Sequence, residues 1–209
     1  MASIELKKPI TEMLKPLDEV EFSPVVESIT GYKVKKFNHE DKNDKILLVN
    51  LVKVADLVLE MVNKIGIDSN RANEVGNKIE PFVKEALIKI GYQADTPITQ
   101  SGIKQSTGYP DISFYDDNER LNYLECKTYN INNLNTSQRS FCLSPSNNPK
   151  ITELAHHFGI SFEIIKENEK FFAKSWKILD LYNLKLKIKY EFNASNRTLY
   201  SKDLILAER

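Results

Sequence analysis

The sequence predicts an α/β fold, a mixed β-sheet flanked by α-helices. Three observations predict it. Two long segments, 45–65 and 70–90, repeat apolar residues at the three-to-four spacing of a helix. A hairpin pattern follows at 111–127, where two short apolar runs flank the polar turn Asp116-Asp117-Asn118-Glu119. Two more strand-like runs then come at 160–165 and 171–181.

In chain order, residues 1–44 are mixed in character and broken by Pro9, Pro16 and Pro24. They predict a short helix near 9–15, an irregular arm, and a strand over 31–37. Lys33, Lys35 and Lys36 on that strand read as solvated charges or as phosphate contacts. In 45–65, Leu47, Leu51, Val54, Ala55, Val58 and Val62 make one apolar face, and Leu48, Val52 and Leu59 make a second. A helix apolar on more than one side is buried. It is either a core helix or a helix of a two-fold dimer. Asn50, Lys53, Asp56 and Glu60 interrupt the run, so it is not a membrane span.

In 70–90, Val75, Ile79, Phe82, Val83, Ala86, Leu87 and Ile90 share a face, and Ser69 or Asn70 can cap the start. Pro81 lies inside this helix and predicts a kink or a break. Residues 92–108 are a polar connection. After the hairpin, 129–138 (YNINNLNTSQ) is Asn-rich and 139–143 resumes a strand. Ser146-Asn147-Asn148-Pro149 opens a predicted helix over 150–158. His156 and His157 diverge on that helix and read as ordinary structural histidines. The strands at 160–165 and 171–181 join through Glu167-Asn168-Glu169-Lys170, and the lone tryptophan, Trp176, packs among them. Finally, 182–202 alternates Leu184, Leu186, Ile188 and Tyr190 with Lys185, Lys187, Lys189 and Glu191. That period of two predicts a half-buried edge strand with a lysine row outward.

At 209 residues the chain suits one domain, 1–209. Its parts are an arm at 1–44, the buried or dimer helix at 45–66, a catalytic core at 70–165 and C-terminal strands at 166–209. Lys+Arg and Asp+Glu number 29 each, so net charge offers no global argument for a nucleic-acid partner. The two cysteines, Cys126 and Cys142, both read as buried free thiols, which excludes a disulfide framework and a Cys-rich zinc site. The first sixteen residues lack the apolar segment of a signal peptide, so a cytoplasmic location with no membrane association is expected.

The chemistry concentrates in the hairpin. Pro110-Asp111 opens its first strand, and Glu125-Cys126-Lys127 closes its second. Glu125 and Lys127 are two apart and share one face of a strand, while Cys126 points to the other. In an antiparallel pair the start of one strand neighbours the end of the next, so Asp111 meets Glu125. Two convergent carboxylates are hard oxygen ligands for Mg²⁺. A lysine beside them can orient an attacking water. Those are the parts of metal-assisted phosphodiester hydrolysis.

Gly108-Tyr109-Pro110-Asp111-Ile112 with Leu124-Glu125-Cys126-Lys127-Thr128 resembles the PD-(D/E)xK nuclease superfamily, and is most similar to type II restriction endonucleases, over residues 70–165. The resemblance implies a restriction-endonuclease-like core. It implies Mg²⁺ on Asp111 and Glu125, with Lys127 assisting the water. It also implies a supporting acid on the preceding helix, for which Glu80 comes first and Glu74 second; the alternative for Glu80 is a solvated helix charge. The expected function is Mg²⁺-dependent, sequence-specific cleavage of double-stranded DNA to 5′-phosphate ends by a homodimer. A DNA repair or junction-resolving nuclease on the same core, or a non-catalytic DNA-binding protein, are the alternatives. Candidate DNA contacts are Lys104 and Gln105, beside Gln100, in the loop before Asp111, and Asn133, Asn135, Gln138 and Arg139 after Lys127. Solvated loop residues are the alternative reading of both groups.

Overall fold

A computed structural model describes residues 9, 11–12, 19–70, 72–136, 140–188 and 193–207. The chain forms two units, Glu21–Leu184 and a smaller one of Met1–Val20 with Lys185–Arg209. The larger unit holds α1 (Phe22–Thr30), β1 (Val34–Lys35), α2 (Lys42–Ile65), β2 (Ile67–Asp68), α3 (Ala72–Lys89), β3 (Gln93–Asp95), β4 (Ile112–Tyr115), β5 (Leu121–Tyr129), β6 (Ala155–Glu167) and β7 (Lys170–Asp180). Its sheet runs β2-β7-β6-β5-β4-β3, with β1 laid parallel against the start of β6. β5 and β6 are parallel and the other neighbours antiparallel, so the sheet is mixed, as expected.

The two long helices form where the apolar spacing puts them. Asp41 caps α2 through its side chain, which accepts from the N–H groups of Asn43 and Asp44, and this starts the helix at Lys42 rather than at 45. Leu47, Leu51, Val54, Ala55, Val58 and Val62 are buried in the core. Pro81 sits within α3 without ending it. α2 packs against α3 and β7, and α3 against β5. Both cover the sheet face that carries Leu124 and Cys126. Gly66 ends α2 at φ +70°, where a Cβ would come within 2.8 Å of the Lys170 side chain, so helix and hairpin meet there at a position only glycine fills without a shift.

Five expectations are corrected. Residues 22–30 form α1 rather than an irregular arm. Pro24 lies in its first turn, where the missing N–H costs nothing, and Phe22 and Val26 bury one face. The helix expected over 150–158 is absent: strand β6 begins at Ala155 and is buried through Ile164. A strand in the middle of a sheet is covered on both faces and loses the alternation that marks strands in sequence. His156 and His157 therefore point to opposite faces of the sheet. Residues 140–143 form no strand, because β4 and β6 already occupy both edges of β5; Cys142 is exposed rather than buried, whereas Cys126 is a buried free thiol. Among the described residues of the long strand expected over 182–202, only Lys185–Leu186 are strand, and Asn196–Leu199 form a short helix, which Ser195 caps. Residues 189–192 lie outside the described residues, as does most of the expected helix at 9–15. No helix among the described residues is long and apolar enough to cross a membrane.

The hairpin between β6 and β7 needs no glycine. Asn168 and Glu169 both adopt positive φ, +46° and +69°, the conformation a two-residue turn between right-twisted strands requires.

Candidate active site

β4 and β5 pair with Ile112 opposite Leu124, so Asp111, one residue before β4, falls beside Glu125. The Asp111 Oδ2 accepts a hydrogen bond of 2.8 Å from the Cys126 N–H, which fixes the carboxylate against the strand. Lys127 donates to Glu125 Oε1 at 2.6 Å. The other Glu125 oxygen, Oε2, is buried with no hydrogen-bond partner among the described residues. These three side chains, with Glu80 of α3, line one cleft of about 710 Å³.

The electrostatics follow from crowding two carboxylates out of water. Burial, and then the neighbouring Asp111 charge, push the Glu125 carboxyl up to about 7. Asp111 also lies above the usual carboxylate range. Burial raises it, and the Cys126 N–H and the Lys127 charge only partly offset that. Burial works to lower Lys127, but the Glu125 and Asp111 carboxylates outweigh it and hold the ammonium above its ordinary value. The site is a desolvated acidic pair that one lysine does not satisfy.

That imbalance fits a divalent cation. An orphaned carboxylate oxygen beside a second carboxylate is a hard-oxygen donor set. Among the described residues no group of three or more His, Cys, Asp or Glu side chains converges as a cage. Asp111 and Glu125 thus offer a two-carboxylate seat open on its remaining sides, the arrangement that suits Mg²⁺ with waters and substrate phosphates completing the shell.

The other candidates fall in different places. Glu80 faces this cleft, and its Oε1 is 2.7 Å from Lys84 Nζ. Glu74 is exposed and takes a bond from Ser69 Oγ at 3.1 Å. Asn133 lines the cleft, while Asn135 is exposed nearby. Gln138 and Arg139 lie outside the described residues. Lys104 is exposed and pairs with Asp95 at 2.5 Å. Gln105 donates to the Thr107 carbonyl at 3.0 Å and lines a smaller recess of about 180 Å³ with Gly108. The Gln100 amide spends its donors on the Thr30 and Ile151 carbonyls at 3.1 and 3.2 Å, which ties loops together.

Two further features were not read from the sequence. Lys150 is only 3% exposed, and its ammonium donates to the carbonyls of Gly108 and Pro110, the two that bracket the approach to Asp111. Burial lowers its proton affinity, against the pull of the Asp111, Glu125 and Glu80 charges. It sits in a segment that local signals assigned to a helix. Behind the motif, Tyr109 stacks on His157, with its hydroxyl 2.7 Å from His157 Nδ1, and Phe22 and Phe141 pack edge-on to Tyr109. Burial, and then His156, bring His157 down to about 3, so it is neutral and structural.

Comparison with known proteins places the same span in one family. The family described as "Type II restriction enzyme MjaV family" matches residues 17–203. The chain is 41% identical over 220 residues to the type II restriction enzyme MjaV of Methanocaldococcus jannaschii, covering 98% of this chain and 95% of that protein.

Proposed function

The chain belongs to the type II restriction enzyme MjaV family, and from that premise we propose that it hydrolyses phosphodiester bonds of double-stranded DNA at a specific sequence, with Mg²⁺, leaving 5′-phosphate ends. The observation that carries the reading is the Asp111–Glu125 pair with Glu125 Oε2 unsatisfied next to Lys127.

In this reading Asp111 and Glu125 hold the cation, and Glu80 supports them from α3. Bound there, Mg²⁺ supplies a Lewis acid for the phosphate oxygens and lowers the pKa of water. The Cys126 N–H keeps the Asp111 carboxylate aimed. Lys127, charged and anchored by Glu125 Oε1, orients the attacking water at Nζ and offsets the negative charge that grows on phosphorus. The water oxygen adds to phosphorus in line, the bond from phosphorus to the 3′-oxygen breaks, and that oxygen leaves and takes a proton. The products are a 5′-phosphate and a 3′-hydroxyl.

We read the enzyme as a cytoplasmic homodimer, since cutting both strands of a two-fold site needs two such centres related by the same symmetry. Asn133 and Asn135, with Gln138 and Arg139, are the side chains placed in sequence to reach base edges. Incubation with unmethylated DNA and Mg²⁺ tests the reading: discrete fragments with 5′-phosphates are expected from the wild type and not from Asp111→Ala or Lys127→Ala protein. Retained cleavage in either variant would contradict the assigned roles.

A further inference from the structure

The sheet face that carries Glu125 is laid out in rungs across β5, β6 and β7. Register sets Tyr123 beside His157, then Glu125 beside Gly159 and Leu179, then Lys127 beside Ser161 and Lys177, then Tyr129 beside Glu163 and Ser175. The first rung is sealed by the aromatic cluster behind the motif. The last closes on itself: Ser175 Oγ donates to Glu163 Oε2 at 2.8 Å, and the Tyr129 hydroxyl lies 3.3 Å from Ser175 Oγ. On the Glu125 rung, Gly159 contributes no side chain, and Leu179 and Leu181 pack over it.

The lysine rung stands open to the cleft. Its two cations flank a serine, with their backbones two strand spacings, roughly 10 Å, apart. Lys127 is engaged by Glu125. Lys177 is exposed and, among the described residues, pairs with no carboxylate. Its Nζ sits 5.5 Å from the centre of the Tyr129 ring, which holds a cation in place without neutralising it. Nearby lysines differ: Lys166 pairs with Glu169 at 2.9 Å, and Lys174 approaches Glu163 at 3.7 Å. Lys177, Ser161 and Tyr129 all line the cleft that contains Asp111 and Glu125.

We infer that Lys177, held over Tyr129 and beside Ser161, binds a backbone phosphate of the DNA strand next to the one attacked at Glu125. This rests on the DNA-cleaving reading above. A nucleic-acid strand carries a regular row of anions, so a strand whose scissile phosphate lies at the carboxylate rung brings a neighbouring phosphate toward the lysine rung. Lysine serves as a point charge for such a group. The contact fixes register along the backbone and carries no sequence information.

The test is the salt dependence of binding to a fluorescein-labelled short duplex of arbitrary sequence, in EDTA, between about 50 and about 200 mM salt. Wild-type, Lys177→Gln, Lys177→Arg and Lys174→Gln proteins are compared by anisotropy. Loss of one phosphate contact lowers the slope of log affinity against log salt by about 0.9. Lys177→Gln is expected to show that loss, Lys177→Arg to restore the slope, and Lys174→Gln, with the same charge change on the same strand, to leave it intact. An unchanged slope in Lys177→Gln, or an equal fall in Lys174→Gln, would overturn the assignment while the nuclease reading stands. A wild-type protein that binds duplex DNA neither in EDTA nor with Mg²⁺ at any salt would overturn both.

Discussion

Glu125 and Lys127 stand two residues apart on one strand with Oε1 and Nζ 2.6 Å apart, yet the lysine satisfies only one carboxylate oxygen and leaves Oε2 buried and bare. The pair is asymmetric. Glu125 and its neighbour Asp111 are both held above the usual carboxylate range. In the proposed function, a site of this kind gains when a cation arrives.

With Glu125 as the proposed ligand, proton and metal are expected to compete for it. With its carboxyl up at about 7, the site is largely protonated at pH 6 and ionised at pH 8. Affinity for Mg²⁺ is expected to fall as pH drops through 7, approaching about tenfold per unit below it. Calorimetric titration of Mg²⁺ into the protein at the two pH values checks this. Equal affinities would show that Glu125 is not a ligand.

Stability should move the other way. The folded-state pKa of Glu125 exceeds its ordinary value of 4.5, so its contribution is intact below pH 4.5 and lost as pH rises to about 7. The loss is on the order of 3 kcal/mol at most. Glu125→Gln removes the desolvated charge and keeps an acceptor for Lys127. It should raise the thermal midpoint at pH 8 by a few degrees while abolishing cleavage. A lower midpoint at pH 8 would contradict the electrostatic account.

Lys150 holds the Gly108 and Pro110 carbonyls from a buried position. Lys150→Met leaves both acceptors unsatisfied and frees the segment that delivers Asp111. A loss of about 2 to 4 kcal/mol in stability is expected. Even under conditions where the variant stays folded, turnover should drop with little change in affinity for DNA, because the residue acts on the carboxylate and not on the substrate. A variant with wild-type turnover would show that the loop holds itself.

A second buried network pins the far end of the hairpin. Arg120 reaches Asp44 at 2.6 Å and Asp116 at 2.7 Å, and His156 Nε2 lies 3.2 Å from Asp44. Burial works to raise the Asp44 pKa, but the Asn38 N–H, Arg120 and His156 outweigh it, and the net shift is down. Its contribution is thus present above the usual carboxylate range and lost on acidification below it. Arg120→Met strands two buried acids and should cost about 3 to 5 kcal/mol, read by urea denaturation at pH 7.5. A loss under about 1 kcal/mol would show that water already screens the pair.

What the sequence made legible follows the range of the interactions. α2, α3 and the hairpin of β4 and β5 rest on local period, caps and turns, and the spacing from Asp111 to Glu125 already implied that the two meet. Glu80 could be placed on its helix but its direction could not. The strand at 160–165 was legible and forms the later part of β6, but its start at Ala155 escaped: a strand buried on both faces shows no alternation, and the Ser146–Pro149 start signal favoured a helix over 150–158. Lys150 and Lys177 gain their meaning from Pro110, forty residues before Lys150, and from Lys127, two strands away from Lys177. No window of local sequence contains those contacts.

The most direct test of the central claim is cleavage of long unmethylated DNA by the wild-type protein with Mg²⁺, beside Lys127→Ala protein and an EDTA control. The account predicts a discrete fragment pattern from the wild type alone, with 5′-phosphate ends that map to one recurring sequence. Intact DNA in every lane, or the same fragments from Lys127→Ala protein, would contradict it.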